Sequence, residues 1–103
     1  MTKPLRFDDE AAEELEAAAA WYEARRRNLG LDLVLEVRRV LDRIAAHPAA
    51  APLARDEARR FGVRMCTLRR FPYSIAYLEL EAELRVIAVA HHRREPGYWR
   101  HRL

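Results

Sequence analysis

The C-terminal run His91, His92, Arg93, Arg94, Glu95, Pro96, Gly97, Tyr98, Trp99, Arg100, His101 and Arg102 concentrates the groups that can move protons and hold anions. Histidine can give or take a proton near neutral pH. Arginine grips phosphate and carboxylate with a rigid fork. Tyrosine can donate a proton or stack on a base. Arg69 and Arg70 close an earlier strand-like segment, ahead of Phe71 and Pro72. Cleavage of a phosphodiester by a neighbouring hydroxyl needs a base, positive charge for the developing phosphorane, and an acid for the leaving oxygen. The types fit that chemistry, with His92, Tyr98, Arg69 and Arg94 as the candidate catalytic set. Arg64, Arg70, Tyr73, Arg93, Trp99 and Arg100 are the candidate contacts to a partner or target. Each has a plainer reading: the arginines solvate a surface, and Tyr98 and Trp99 pack the C terminus. His91 and His92 are expected on opposite faces of the sheet. No acidic or thiol ligand groups with His91, His92 and His101, so no metal and no cofactor is expected.

The elements that must position these groups follow from periodicity. Pro4 to Phe7 reads as an edge strand, where the missing proline N–H is tolerated. From Asp8 to about Asn28 the spacing is helical, with Asp8 or Asp9 as the cap and Ala11, Leu15, Ala18, Ala19 and Tyr22 as the apolar stripe. Glu13 and Glu14 read as solvated helix charges. Asn28 and Gly30 suit a left-handed helix end. A second helix runs from about Leu31 to Ala46, buries Leu33, Val37, Val40, Leu41 and Ile44, and is stopped by Pro48. The two form an antiparallel hairpin. His47 to Arg59 is a connection rich in alanine and proline that has room for a helical turn.

After Phe61 the period becomes that of a strand. Val63 to Cys66 is one strand. Pro72 to Leu78 is the next, with Tyr73, Ile75 and Tyr77 on one face. Leu84 to Ala90 is apolar on both faces and belongs in the middle of the sheet. Glu81, Ala82 and Glu83 make the turn between them. The expectation is an α+β fold: a strand, a helical hairpin, then a three-stranded antiparallel meander, with the helices on one face.

The whole-chain quantities agree with one domain over residues 1–103. Half of the residues are apolar, a third are charged, and the net charge is +3. Of the 19 basic side chains only Lys3 is lysine, which suits an acidic partner or a nucleic acid. No apolar run approaches the ~20 residues that span a bilayer, and the first residues lack a signal-peptide core, so the expected location is the cytoplasm. The lone Cys66 reads as a small apolar strand residue.

The segment from Arg69 through Phe71, Pro72 and Tyr73 to Tyr77, followed by Val86 to Trp99, resembles the RelE/ParE superfamily of type II toxins. Trp21, Tyr22, Gly30, Leu41 to Ile44 and Pro48 are similar to that family's helical hairpin, so the resemblance covers nearly the whole chain. It implies a toxin held by a cognate antitoxin from the same operon, as a hetero-oligomer whose acidic antitoxin segment folds onto the arginine-rich surface. RelE-like members cut mRNA in the ribosome, without a metal; ParE-like members inhibit DNA gyrase. With Tyr73 and Tyr98 aligned, the two RelE lysine positions fall on Met65 and Thr67. One arginine position falls on Ser74, another falls near His92, and Tyr98 alone matches. The missing lysines lean the reading to gyrase. Ribosome-dependent mRNA cleavage by a divergent set, and a relic that binds antitoxin without toxicity, are the alternatives.

Overall fold

Leu5 and Phe7 point the same way from an extended segment, and burying them requires a sheet beside it. A computed structural model of the chain describes residues 3–55 and 57–103, with Glu57 described by its backbone alone. The first strand, β1 (Leu5–Phe7), is followed by α1 (Asp9–Arg25) and α2 (Leu29–Ala46). Three strands come next: β2 (Arg64–Thr67), β3 (Tyr73–Glu79) and β4 (Leu84–His91). The sheet order is β1-β4-β3-β2, with β1 parallel to β4 and the other pairs antiparallel. The meander is therefore present, β4 is central, and β1 makes a four-stranded mixed sheet.

The helical hairpin lies on one face. Ala11, Ala18, Leu33, Val37, Val40 and Ile44 meet Ile75, Tyr77, Val86 and Val89 there. The Tyr77 hydroxyl, inside this core, donates to the Pro48 carbonyl at 2.6 Å and so fixes the end of α2 to the sheet. The other sheet face is covered as well, by the connection after α2 and by the C terminus. Ala54, Ala58, Val63, Ala76, Leu78, Ile87, Ala88, Ala90 and Trp99 form a second core. The small side chains of Ala76, Ala88 and Ala90 leave room for the indole of Trp99. The expected helical turn in the connection is a 3-10 turn at Glu57–Phe61, and Asp56 lies outside the described residues. Backbone bonds from Ala54 to Val63 and from Met65 to Pro52 lay this connection against β2 and cover its outer edge.

A bulge in β4 sets the direction of the last strand residues. Ala76 pairs with Ala88 and Tyr77 with Val86, so Ile87 is the additional residue. Leu84 and Val86 face the helices, Ile87 and Ala88 both face the second core, and alternation then resumes at Val89. His91 consequently faces the helix side and the next residue, His92, the other.

Three local expectations are corrected. Asp8 holds the cap position of α1 but makes no side-chain cap bond. Its carboxylate instead accepts from Arg85 Nε and Nη2 at 2.8 Å each, a stronger arrangement than a cap because both partners are charged. Asn28 alone provides the left-handed residue, with φ 69°. Gly30 lies inside the first turn of α2, where a Cβ would overlap the Ala19 carbonyl oxygen of the facing helix. Gly30→Ala should therefore destabilise by about 1–3 kcal/mol through overpacking, despite a helix propensity gain of about 1 kcal/mol. A higher urea midpoint in the variant would contradict that close approach. The third correction is Glu14, which is far from a solvated charge.

Candidate functional site

Phe7 pairs with Val86, and β1 goes no further along β4. The edge of β4 beyond that point still carries an N–H at Val89 and a carbonyl at Ile87, and buried backbone groups need partners. Two side chains supply them. Glu14 Oε1, on α1, accepts from the Val89 N–H at 3.0 Å. Arg102 Nη1, near the C terminus, donates to the Ile87 carbonyl at 3.0 Å. The same two side chains meet each other through Nη1–Oε1 at 3.0 Å and Nη2–Oε2 at 3.1 Å. Arg102 Nε is 3.1 Å from Glu10 Oε2 but out of line for a hydrogen bond.

Tyr98 completes this group. The Pro96–Gly97 turn, with Gly97 at φ 74°, brings the chain back over the sheet. The Tyr98 hydroxyl then donates to Glu14 Oε2. Its ring lies under the Arg94 guanidinium, 3.6 Å from carbon to centroid, with Arg102 farther away at 5.4 Å. Burial pushes the Glu14 carboxyl up, but the bonds from Arg102, Tyr98 and Val89 outweigh it and hold its pKa below the ordinary 4.5. Burial, and then the bond and charge of Glu14, drive the Tyr98 hydroxyl far above its ordinary value, against the opposing pull of Arg94 and Arg102. Tyr98 is thus a neutral donor locked onto a carboxylate.

A second polar chain lies on the other sheet face. His92 Nε2 and Ser74 Oγ are 2.9 Å apart, and Ser74 Oγ is 3.1 Å from Thr67 Oγ1. These three line a cavity of about 500 Å³ that also reaches Arg94, Tyr98 and buried Trp99. His91 also borders this cavity, but its ring stands edge-on to Tyr73, 4.9 Å between ring centroids, and accepts the Arg93 N–H on Nδ1 at 3.0 Å. Tyr73 is half-buried between Tyr22 and His91; burial, then the neighbouring Tyr22, raise its pKa.

The candidate catalytic set is only partly brought together. His92, Tyr98 and Arg94 share the cavity. Arg69 does not: its N–H donates to the Glu36 carboxylate, and its side chain lies with Arg39 and Arg43 of α2. Of the candidate contact residues, Arg93 and Arg100 are exposed, and Arg100 Nε bonds the Gly97 carbonyl at 3.0 Å. Arg70 lies 3.5 Å from Asp32. Arg64 donates to the Ala51 carbonyl at 2.7 Å and ties the connection to β2. Trp99 is 2 % exposed, so its indole is a core group with no surface to offer a partner. Glu14, Arg102 and Ser74 stand outside the candidate set, and the structure places all three in these two groups. Among the described residues, no group of three histidine, cysteine or acidic side chains is placed to hold a metal ion, and no helix is long and apolar enough to cross a membrane.

The family description "ParE toxin of type II toxin-antitoxin system, parDE" matches residues 5–96. The chain belongs to the ParE toxin family. Among solved structures, the chromosomal ParDE toxin–antitoxin system from P. aeruginosa is similar in fold, with a TM-score of 0.74 at 20 % identity, over 87 % of this chain and 96 % of that one. Among curated proteins none matches. In this ParE-family toxin, the last residues of the matched region, Pro96 and those before it, lead directly into the Tyr98 group.

The depressed pKa of Glu14 has a measurable consequence. A carboxyl that binds protons less well folded than unfolded stabilises fully above its ordinary pKa, and that contribution is lost as pH falls through the lower folded value. The ParE-family fold should therefore lose stability on acidification from about pH 5 downward, and Glu14→Gln should flatten that dependence. Equal slopes in urea titrations of wild type and variant would contradict it.

Proposed function

We propose that this chain is the toxin of a type II toxin–antitoxin pair, that it stops growth by binding DNA gyrase, and that an antitoxin from the same operon neutralises it. The membership in the ParE family supports the toxin assignment. The observation that carries the target is the state of Tyr98. Catalysis by this residue requires a hydroxyl free to exchange a proton, with a pKa near the working pH. Here the hydroxyl is committed to Glu14 and moved further from that range. The alignment's lysine positions hold Met65 and Thr67, and Arg69 lies with α2. What is left around Tyr98 is a binding surface with exposed Arg93, Arg94 and Arg100.

The antitoxin has a surface to cover. Leu31, Val34 and Leu35 of α2 and Trp21 of α1 are exposed, and a shallow apolar groove runs past Val34, Leu15 and Phe7. Apolar patches of this kind mark partner surfaces. Purified toxin added to gyrase should block supercoiling of relaxed plasmid, and equimolar antitoxin should restore it. Supercoiling unaffected at a large molar excess of folded toxin would rule gyrase out.

One observation favours a second reading, mRNA cleavage on the ribosome. The Ser74–His92 pair in its cavity offers a histidine whose ring is oriented by a hydrogen bond. Primer extension on messages from a translating extract separates the two: new toxin-dependent 5′ ends belong to the nuclease alone. A lone toxin that leaves growth unaffected would instead indicate a relic that binds antitoxin. Either target places the protein in the cytoplasm.

A further inference from the structure

We propose that the arginine cluster formed by α2 and the β2–β3 turn is a binding site for the phosphodiester backbone of a nucleic acid. Arg39 and Arg43 stand one helical turn apart on α2, and Arg69 and Arg70 face them from the turn. The turn is fixed from beneath. Glu36 is 4 % exposed, and its carboxylate accepts the backbone N–H groups of both Arg69 and Arg70. That carboxylate spends its lone pairs on the backbone, so it positions the two arginines and leaves their guanidinium groups outward.

Like charges at i, i+4 on a helix repel, so Arg39 and Arg43 gain from an anion placed between them and the two arginines of the turn. Arg70 is 3.5 Å from Asp32, and Arg43 Nη2 is 3.9 Å from the Cys66 sulfur. Among the described residues, Arg39, Arg43 and Arg69 meet no carboxylate within ion-pair distance. Asp42 borders the recess without pairing with them. The chemistry of the recess separates phosphate from an acidic peptide. Peptides anchor through apolar side chains set in pockets, and the apolar side chain lining this recess, Val40, is itself buried. A ligand recognised by charge and hydrogen bonds alone fits better, and arginine forks match phosphate oxygens. The cluster shares no lining residue with the His92–Tyr98 cavity, so it stands whichever target the toxin has.

The test is fluorescence anisotropy of a labelled mixed-sequence DNA duplex and of a labelled single-stranded RNA, each titrated with the full chain over a salt series. The triple variant Arg39→Gln, Arg43→Gln, Arg69→Gln should bind at least tenfold more weakly at low salt. Its log K against log salt slope should fall by about 2 to 3, since each lost phosphate contact removes roughly 0.9 on duplex and roughly 0.7 on a single strand. A charge-matched variant, Arg27→Gln, Arg59→Gln, Arg60→Gln, should change affinity by less than about twofold if placement and not net charge decides. Preference for one nucleic acid over the other identifies which backbone the site holds. Equal losses in the two variants, no binding of either nucleic acid, or tighter binding of a polyglutamate peptide than of both would each overturn the proposal. All the replaced side chains are exposed, and unchanged melting curves would show that the variants fold.

Discussion

Glu14→Ala is expected to destabilise the fold by about 3–5 kcal/mol, the range for breaking a buried charge pair from one side. The carboxylate is 17 % exposed and faces Arg102, which is 7 % exposed. Removing it takes two hydrogen bonds from that guanidinium and leaves the Tyr98 hydroxyl and the Val89 N–H without their acceptor. For a domain of this size each kcal/mol moves the melting temperature by roughly 4–8 °C, so the fall should reach about 12 °C or more. Arg102→Leu should be severe for the same reason, because it strands Glu14. The pair Glu14→Ala, Arg102→Leu should cost less than the sum of the two single changes, which is the signature of groups that act as a unit. Additive losses would mean that the two do not depend on each other.

Trp99→Ala should destabilise by about 3–5 kcal/mol, as large-to-small changes at buried aromatics do. Trp99 is the largest fully buried side chain. It closes a core otherwise built of alanines, Val63, Leu78 and Ile87, and alanines cannot expand to fill the void. Loss of the indole also releases the tail that carries Tyr98 and Arg102, so the effect should spread to the Glu14 group. Trp99→Phe keeps most of the apolar area and should cost about 1 kcal/mol. Chemical denaturation with tryptophan fluorescence from the remaining Trp21 measures both variants. A Trp99→Ala protein as stable as wild type would mean that the second core does not depend on this residue.

Much of the architecture was legible because it is written in local periodicity. Tyr73, Ile75 and Tyr77 alternate as one sheet face must, and Leu84 to Ala90 is apolar on both sides because both sides are covered. The helical hairpin follows from the stripe on each helix and the break at Asn28. Contacts between distant segments were not legible. Glu14 lies next to the apolar Leu15 on α1, and nothing nearby in sequence marks it as buried. Its partners Tyr98 and Arg102 are 84 and 88 residues away. Asp8 looks like a cap until Arg85 is seen to occupy it. The second core shows in sequence only as the two apolar faces of Leu84 to Ala90 and the packing role open to Trp99; its other members are mostly alanines, which carry no strong apolar signal. Residue type alone groups Arg69 with His92, whereas Glu36 draws its backbone to the α2 side. The bulge at Ile87, which decides which face His91 takes and which His92 takes, depends on pairing register and leaves no mark in composition.

Tyr98 is proposed as a structural latch in a toxin that works by binding. Tyr98→Phe tests this most directly, since it keeps the ring under Arg94 and removes only the hydroxyl bonded to Glu14. The measurement is the inducer dose that halves the growth rate when each toxin is expressed without antitoxin, with equal soluble levels verified. The expected result is the same dose within about twofold, with a melting temperature lowered by about 6 °C or more for a lost hydrogen bond to a charged group of about 1.5–3 kcal/mol. A toxicity reduced by about 100-fold or more in a protein that remains folded, the size of a lost general acid or base, would contradict the account.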